Sequence, residues 1–554
     1  MKFIRKSMKT IRTSAGTKRL LACVLAVLTL FCGCGKPPED DPGIVIPPIN
    51  PVATPEADVI RNGGTLKIPV NRTPATLHPL FVREAMTRNL YSMIFEPLIS
   101  LDANREPVAC LAQNWTYAEE KQQWELEMRT NVHWHGGLGD VTAEDAAFTV
   151  NTILANPDSC YYPMLSQYLS GAETFGSKLI LHALLPSRAV LYALNFPVIP
   201  KNYYEGKDSV SFDTPRGSGC FAVETMETET NGGTLNVNAI MLNANTDWWK
   251  KLPHLSRVEA IGFASSQSVM TAFSLGELDC APTGLRTSEI YEILSGVNHL
   301  EYLSQKYVFL GFNLKRGYTQ QKQFRQALAY AVNPTEIINN VYLTKASRAE
   351  LPLYNDSLLS SAGVKRYDVS VTRTKTMLEA MGFADADGDG FFDNLTLTLA
   401  VLSNPADPVR EEVAQTVAAE LAEAGVNVEV AAMGEYDLQS AIELNDYDMI
   451  ISGYGLNDVP NLRFCLTRNG SGNICGYDSA EMETYLDRVD AAKTAEELKT
   501  PVLAMQNLLA EDLPMLGLVF EMSTLLYRDT LSVRQPDREG NVFADINLWY
   551  YRAG

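Results

Sequence analysis

His133 and His135 flank Trp134 in an H-x-H spacing that could hold a metal ion, but no third ligand lies nearby in sequence. A second grouping is richer in charge. Asp385, Asp387 and Asp389 alternate with Ala386, Gly388 and Gly390, and D-x-D-x-D-G opens a calcium loop whose glycine makes the sharp turn. The twelfth position would be Thr396, not the bidentate glutamate that completes such a loop, so an acidic turn before a strand is the plainer reading. Catalysis has less to work with. The six histidines have no plausible nucleophile beside them, and the chain lacks G-x-S-x-G, H-E-x-x-H, a P-loop and G-x-G-x-x-G. No catalytic residue and no cofactor are therefore expected, and a secreted hydrolase stands as the alternative of another class.

The thiols divide by position. Cys34 closes Phe31-Cys32-Gly33-Cys34 after a basic segment (Lys2 to Arg19) and an apolar run, Leu20 to Phe31. That run has the length of a signal-peptide core and is short for a membrane span. Residues 1–33 thus read as a lipoprotein signal peptide, with Cys34 as the lipid acceptor. Residues 34–59 are rich in Pro and acid, and read as an extended tether at about 3 Å per residue. Six further cysteines follow, at 110, 160, 220, 280, 465 and 475, with no CxxC among them. Cys465 and Cys475 bracket a short polar loop and are the pair expected to bridge outside the cell, free thiols being the alternative. The formal charge of −20 becomes about −27 once the seven basic residues of the leader are removed. A body so acidic is repelled by nucleic acid and by anionic lipid.

The elements that would position a site show in the periodicity. Gln123 to Arg129 alternates as a half-buried strand does. Thr142-Ala143-Glu144-Asp145 and Asn333-Pro334-Thr335-Glu336 open helices with capping residues, and Met482, Tyr485, Leu486 and Val489 form a helical stripe. Between 395 and 454 the order is strand, helix, strand, helix, strand. The apolar run Leu395–Leu402 comes first, then the stripe Val409, Val413, Val417, Leu421 ending at Gly425. Val426–Met433, Tyr436–Leu444 and Tyr447–Ser452 complete it. Such an order implies a largely parallel sheet covered by helices, and ligands sit beyond the carboxyl ends of such strands. That places Tyr454, Gly455, Leu456, Asn457 and Asp458 at a site-forming edge. The glycines there would admit a ligand to the backbone, and Tyr454 would offer a stacking face.

Several segments together resemble one family. Gly63-Gly64-Thr65-Leu66, Phe95-Glu96-Pro97-Leu98 and Leu111-Ala112-Gln113-Asn114-Trp115 come in its order. Val132-His133-Trp134-His135-Gly136-Gly137 follows, with Gly136 where the family usually has Asp, and then Gly217-Ser218-Gly219-Cys220-Phe221. Gly311-Phe312-Asn313 and the run from Phe324-Arg325-Gln326 to Val332 close the series. The chain resembles the family 5 extracellular solute-binding proteins, the peptide, dipeptide and nickel receptors of ABC importers. The resemblance implies an α/β, two-lobed periplasmic-binding-protein-like fold with an extra domain inserted in the N-terminal lobe. It implies domain I at 60–104, 213–305 and 520–554, domain II at 105–212, and domain III at 306–519. It further implies a receptor held to the outer face of the cell membrane through lipidated Cys34, with transporter permease subunits as partners. Peptide-binding members hold the ligand's free amine with an aspartate, a role Asp458 could take here, though its spacing departs from the family's. Cys465 and Cys475 resemble the pair of dipeptide-type members. A short peptide is the expected ligand, with a nickel chelate or another small solute as the alternative.

Overall fold

Val409, Val413, Val417 and Leu421 recur every fourth residue, and all four are buried on helix Val409–Glu423. In the computed structural model, which describes residues 60–360, 363–536 and 538–553, that helix covers a parallel ladder. Strand Thr396–Leu402 pairs in parallel with Asn427–Met433 on one side and Met449–Gly455 on the other. Gly425 closes the helix at φ +81°, a left-handed conformation that favours glycine. Helix Glu435–Leu444 supplies the second crossover. The strand–helix order expected for 395–454 is thus present, and its sheet is α/β.

The ladder continues into a seven-stranded sheet through two long antiparallel strands, Val297–Phe312 and Met515–Arg528. Their pairing is regular up to Leu303↔Met522, skips, and resumes at Tyr307↔Phe520. Irregular pairing of this kind bends a strand and raises its twist. On one side of the skip the sheet adds Cys280–Thr283, and on the other it adds Met449–Gly455 and Ala346–Arg348.

Two four-stranded sheets lie outside this frame. One runs Thr65–Asn71, Arg257–Phe263, Thr234–Ala244, Phe221–Asn231, with only its first pair parallel. The other runs Ala112–Ala118, Gln123–Met128, Lys178–Ala183, Leu169–Phe175, is antiparallel throughout, and falls entirely within 105–212. Helix Ala143–Ala155 packs on it, opened by a full capping box in which Thr142 and Asp145 exchange bonds. Asn333 caps Pro334–Asn340 and Ser479 caps Ala480–Ala491, as their sequences suggest.

The motif Gly217-Ser218-Gly219 has a packing origin. A Cβ on Gly219 would stand 2.3 Å from Met93 O, and one on Gly217 would stand 2.1 Å from Ile94 O. Beside them the buried Glu96 carboxylate accepts from Ser218 Oγ at 3.0 Å, Trp248 Nε1 at 3.2 Å and Trp249 Nε1 at 3.0 Å. Both motifs therefore weld one corner of the fold. The described residues belong to one compact unit, Asp58–Gly554, and no helix among them is long and apolar enough to cross a membrane. Cys34, the leader and the tether lie outside the described residues.

Candidate functional site

Strand Met449–Gly455 delivers its last residues against the skip in the two long strands. Tyr454 is drawn into an aromatic wall. Its ring centroid lies 4.6 Å from that of Phe309 and 5.1 Å from that of Phe464, and its hydroxyl donates to Gly472 O at 2.8 Å. Tyr307 stacks beside it and also packs on Phe520, which in turn stacks on Tyr354 at 5.2 Å. The Tyr354 hydroxyl donates to Leu456 O at 2.9 Å, while Leu456 N donates to Gln305 O at 2.7 Å. Leu456 is buried, and Gly455 and Asn457 are exposed. Asn457 Oδ1 accepts from Val459 N at 2.9 Å and so shapes the turn.

Asp458 is the most constrained of the five. Its Oδ1 pairs with Arg105 Nη1 at 2.6 Å and its Oδ2 with Arg538 Nη1 at 3.3 Å. The side chains are 12%, 6% and 10% exposed respectively. The carboxylate suggested as an amine anchor is therefore already held by two guanidinium groups. Arg105 also pairs with Asp356 through Nε at 2.5 Å and lies 3.7 Å over the Tyr354 ring. Burial disfavours its charge, but Asp458 and Asp356 outweigh that and hold the guanidinium more firmly protonated than usual.

Arg105, Tyr354 and Arg538 escape a reading by motif. Arg105 sits at the end of the Asp102–Arg105 turn between Ile99–Leu101 and Pro107–Ala109, where Asp102 Oδ1 accepts from Asn104 N and Glu106 N at 2.9 Å each. Its φ of 61° is left-handed, a conformation costing a residue with a Cβ about 1–2 kcal/mol. The acidic turn residue Asp102 is the one sequence signal that a tight turn aims this arginine.

The other candidates fall elsewhere. His135 is buried, donates from Nε2 to Gly219 O at 2.9 Å, and is pushed down to about 4 by burial, so it stays neutral. His133 instead meets Asp140 at 2.6 Å on the surface. The two rings have separate partners and form no shared ligand set. In the acidic loop Asp385, Asp387 and Asp393 gather, with ligand-capable oxygens within 4.8 Å, so Asp393 takes the place expected of Asp389. Asp389 Oδ1 accepts from Phe391 N at 2.8 Å, and Asp385 accepts from Gly388 N and Gly390 N at 2.8 and 3.0 Å. These are the bonds of an acidic turn. Cys465 and Cys475 stand as buried thiols and not as the bridge expected of them, Cys465 Sγ being turned onto Leu462 O at 3.5 Å. Burial pushes both thiols up, Cys475 to about 12. A surface groove along helix Ala143–Ala155, lined by Phe148, Asn151 and Lys201, shares no residue with the 454–458 segment.

Comparison with known proteins is consistent with this frame. Residues 106–474 match the model of "Bacterial extracellular solute-binding proteins, family 5 Middle". The oligopeptide-binding protein AppA of Bacillus subtilis is 22% identical over 523 residues, covering 90% of this chain and 92% of AppA. The nickel-binding periplasmic protein of Escherichia coli is 22% identical over 376 residues, covering 65% of this chain and 69% of its own. The solved structure of NikA from Brucella suis, in complex with Fe(III)-EDTA, superposes with a TM-score of 0.72 at 17% identity, covering 88% of this chain and 100% of NikA. That likeness establishes a shared two-lobed fold. With the family model spanning well over half its length, the chain belongs to the family 5 extracellular solute-binding proteins.

Proposed function

We propose that this protein captures a short peptide or similar small solute between two lobes and presents it to the permease subunits of an ABC importer. Lobe 1 comprises 60–104, 213–305 and 520–554, carries 105–212 as an insertion, and closes on lobe 2 at 306–519. The observation that carries the reading is the convergence at the end of strand Met449–Gly455. There Arg105 and Arg538 from one side meet Tyr354, Asp356, Leu456 and Asp458 from the other. Tyr454, Gly455, Leu456, Asn457 and Asp458 form the ligand-facing segment, in which Gly455 and Asn457 are exposed, Tyr454 and Asp458 partly so, and Leu456 is buried. Charged and aromatic groups converging from separate segments are the ordinary make-up of a solute site. The test is incubation of the full chain with a tripeptide mixture, followed by native mass spectrometry. Intact peptide should be recovered from the complex. Cleaved products would favour a hydrolase, and retention of a nickel chelate with no peptide would favour the second ligand class, the one named for the Escherichia coli relative.

The tether and leader extend the proposal to the membrane. Cys34 is the lipid acceptor that holds the receptor to the outer face of the cell membrane. A Cys34→Ala variant is expected to lose lipid labelling and to accumulate as precursor, and unchanged labelling would move the acceptor elsewhere.

A further inference from the structure

Helices Ala480–Ala491 and Ala495–Asp512 pack on each other and are joined by the short link 492–494. The last carbonyls of a helix have no partner within it. At the end of the first helix, residues from 105–212 supply partners. Ser187 Oγ donates to Val489 O at 2.9 Å, and Arg188 N donates to Ala492 O at 2.6 Å. Lys493, in the link itself, pairs with Glu119, and its ammonium lies 5.9 Å from the centre of the Tyr117 ring. Ser187, Val489 and Ala492 are buried, whereas the Lys493 and Glu119 side chains are 33% and 76% exposed. The contact thus has a dry centre and a wet rim.

Each side of the contact is held by its own framework. Glu119 lies in the turn between strands Ala112–Ala118 and Gln123–Met128, and Ser187 Oγ also accepts from Ala189 N at 3.2 Å, fixing the turn into Val190–Ala193. Opposite them, Thr494 caps Ala495–Asp512, and Lys493 N donates to Glu497 Oε2 at 2.8 Å. The far end of that helix is held by Arg325 and leads into Met515–Arg528, one of the two long strands that carry the skip. The tip of the helix pair is therefore tied to the strand that bends. Water can replace every bond of the contact, since helix-end carbonyls and exposed ion pairs are readily hydrated. Such a surface is buried when it is made and costs little to part.

Resting on the solute-capture reading above, we propose that 105–212 latches onto the tip of this helix pair when the lobes close, and so prolongs the stay of the ligand without contacting it. Among the described residues, Glu119, Ser187, Arg188 and Lys493 make no hydrogen bond to the 454–458 segment. Arg105, paired with Asp356 and Asp458, already joins 105–212 to 306–519 beside that segment, and the latch is a second, remote join. Bonds made only in the closed arrangement stabilise that arrangement and what it encloses. Their loss is felt in release of the ligand and not in its capture.

The test uses the full chain and a tripeptide mixture, with two readouts. One is backbone hydrogen exchange in the fragment that contains Arg188, and the other is release of bound peptide after dilution, followed by native mass spectrometry. Bound peptide should slow exchange at Arg188 N by about tenfold or more, because its bond to Ala492 O belongs to the closed arrangement. Glu119→Lys and Lys493→Glu should each speed release about threefold, the scale of an exposed ion pair, with association and thermal midpoint unchanged. Combining them remakes the pair with its signs exchanged and should return release to the wild-type rate. Exchange at Arg188 unaltered by bound peptide would overturn the latch and show a permanent contact, while leaving peptide capture intact. Release from the double variant as fast as from either single one would overturn it too. Failure of the wild-type chain to bind any tripeptide would instead bring down the peptide reading, and this inference with it. The exchange comparison in the wild-type chain decides the matter even where a variant does not fold.

Discussion

Replacing Arg325 by methionine is expected to cost about 3–5 kcal/mol of folding stability, the range for removing one partner of a buried, charge-assisted network. Arg325 lies on the short helix Lys322–Ala329 and is buried. Its guanidinium is spent on backbone. Nε donates to Leu513 O at 2.9 Å, Nη1 to Thr319 O and Gln320 O at 2.9 Å each, and Nη2 to Asp512 O. Asp512 and Leu513 end the helix Ala495–Asp512, with Leu513 in a left-handed turn. The last carbonyls of a helix have no partner within it, and the helix dipole places partial negative charge there. One planar cation thus closes two chain ends at once. Burial lowers the arginine's affinity for its proton, and nearby Asp512 partly restores it. Methionine would fill the volume and leave four carbonyls without a donor. Lysine has three donors on a point charge and no fork, so Arg325→Lys should recover less than half of the loss. Urea midpoints at fixed pH measure both. A methionine variant within about 1 kcal/mol of wild type would mean that water reaches those carbonyls.

That arginine stands inside Phe324–Val332, one of the segments through which the chain resembles its family. The resemblance there comes from a structural clamp and not from a ligand contact. The same holds for Gly217, Gly219 and Glu96, which weld backbone to backbone. Motifs of this sort reveal the fold well because close packing tolerates few residue types at such points.

The parallel ladder could be read directly, since Val409, Val413, Val417 and Leu421 keep one face of a helix and Val426, Val428 and Val430 keep one face of a strand. The long strands Val297–Phe312 and Met515–Arg528 could not. They cross between surroundings, so no single alternation runs through them, and the skip at Leu303↔Met522 breaks whatever period there is. The place of the 454–458 segment, proposed to face the ligand, follows from the position of its strand end, which depends only on element order. What surrounds Asp458 was hidden for a different reason. Arg105 lies 353 residues away, and nothing local to either residue encodes the pairing. A lone aspartate on a site-forming loop therefore reads as free until the fold supplies its partners. The acidic loop shows a milder form of the same limit. Spacing singled out Asp385, Asp387 and Asp389, whereas the turn brings Asp393 back to Asp385.

The second large effect expected is a loss of stability with rising pH that Glu420→Gln removes. Glu420 lies on the buried face of helix Val409–Glu423, where its Oε2 accepts from Asn333 N at 2.9 Å. Asn333 is the residue that caps Pro334–Asn340, so the carboxyl ties that helix to the cover of the parallel sheet. Its Oε1 is buried with no partner among the described residues. Burial pushes the group up to about 8; the bond from Asn333 works against the shift, and Glu336 and Glu423 add to it. In the unfolded chain the same carboxyl titrates near the ordinary glutamate value, about 4.3. A proton bound in the folded state and released in the unfolded one makes stability greatest below the lower value. Stability then falls as pH rises through the upper one, at up to about 1.4 kcal/mol per pH unit. Across pH 4.5 to 8 the loss is on the order of 4 kcal/mol from this residue alone. Glutamine keeps an acceptor for Asn333 N and cannot ionise. The difference in unfolding free energy between variant and wild type should therefore grow steadily from pH 5 to pH 8. Histidines such as His78 and His135, both pushed down to about 4 by burial, titrate equally in the two proteins and cancel in that difference. A difference that stays flat over the same window would show Glu420 ionised in the folded state, with water or a cation reaching Oε1.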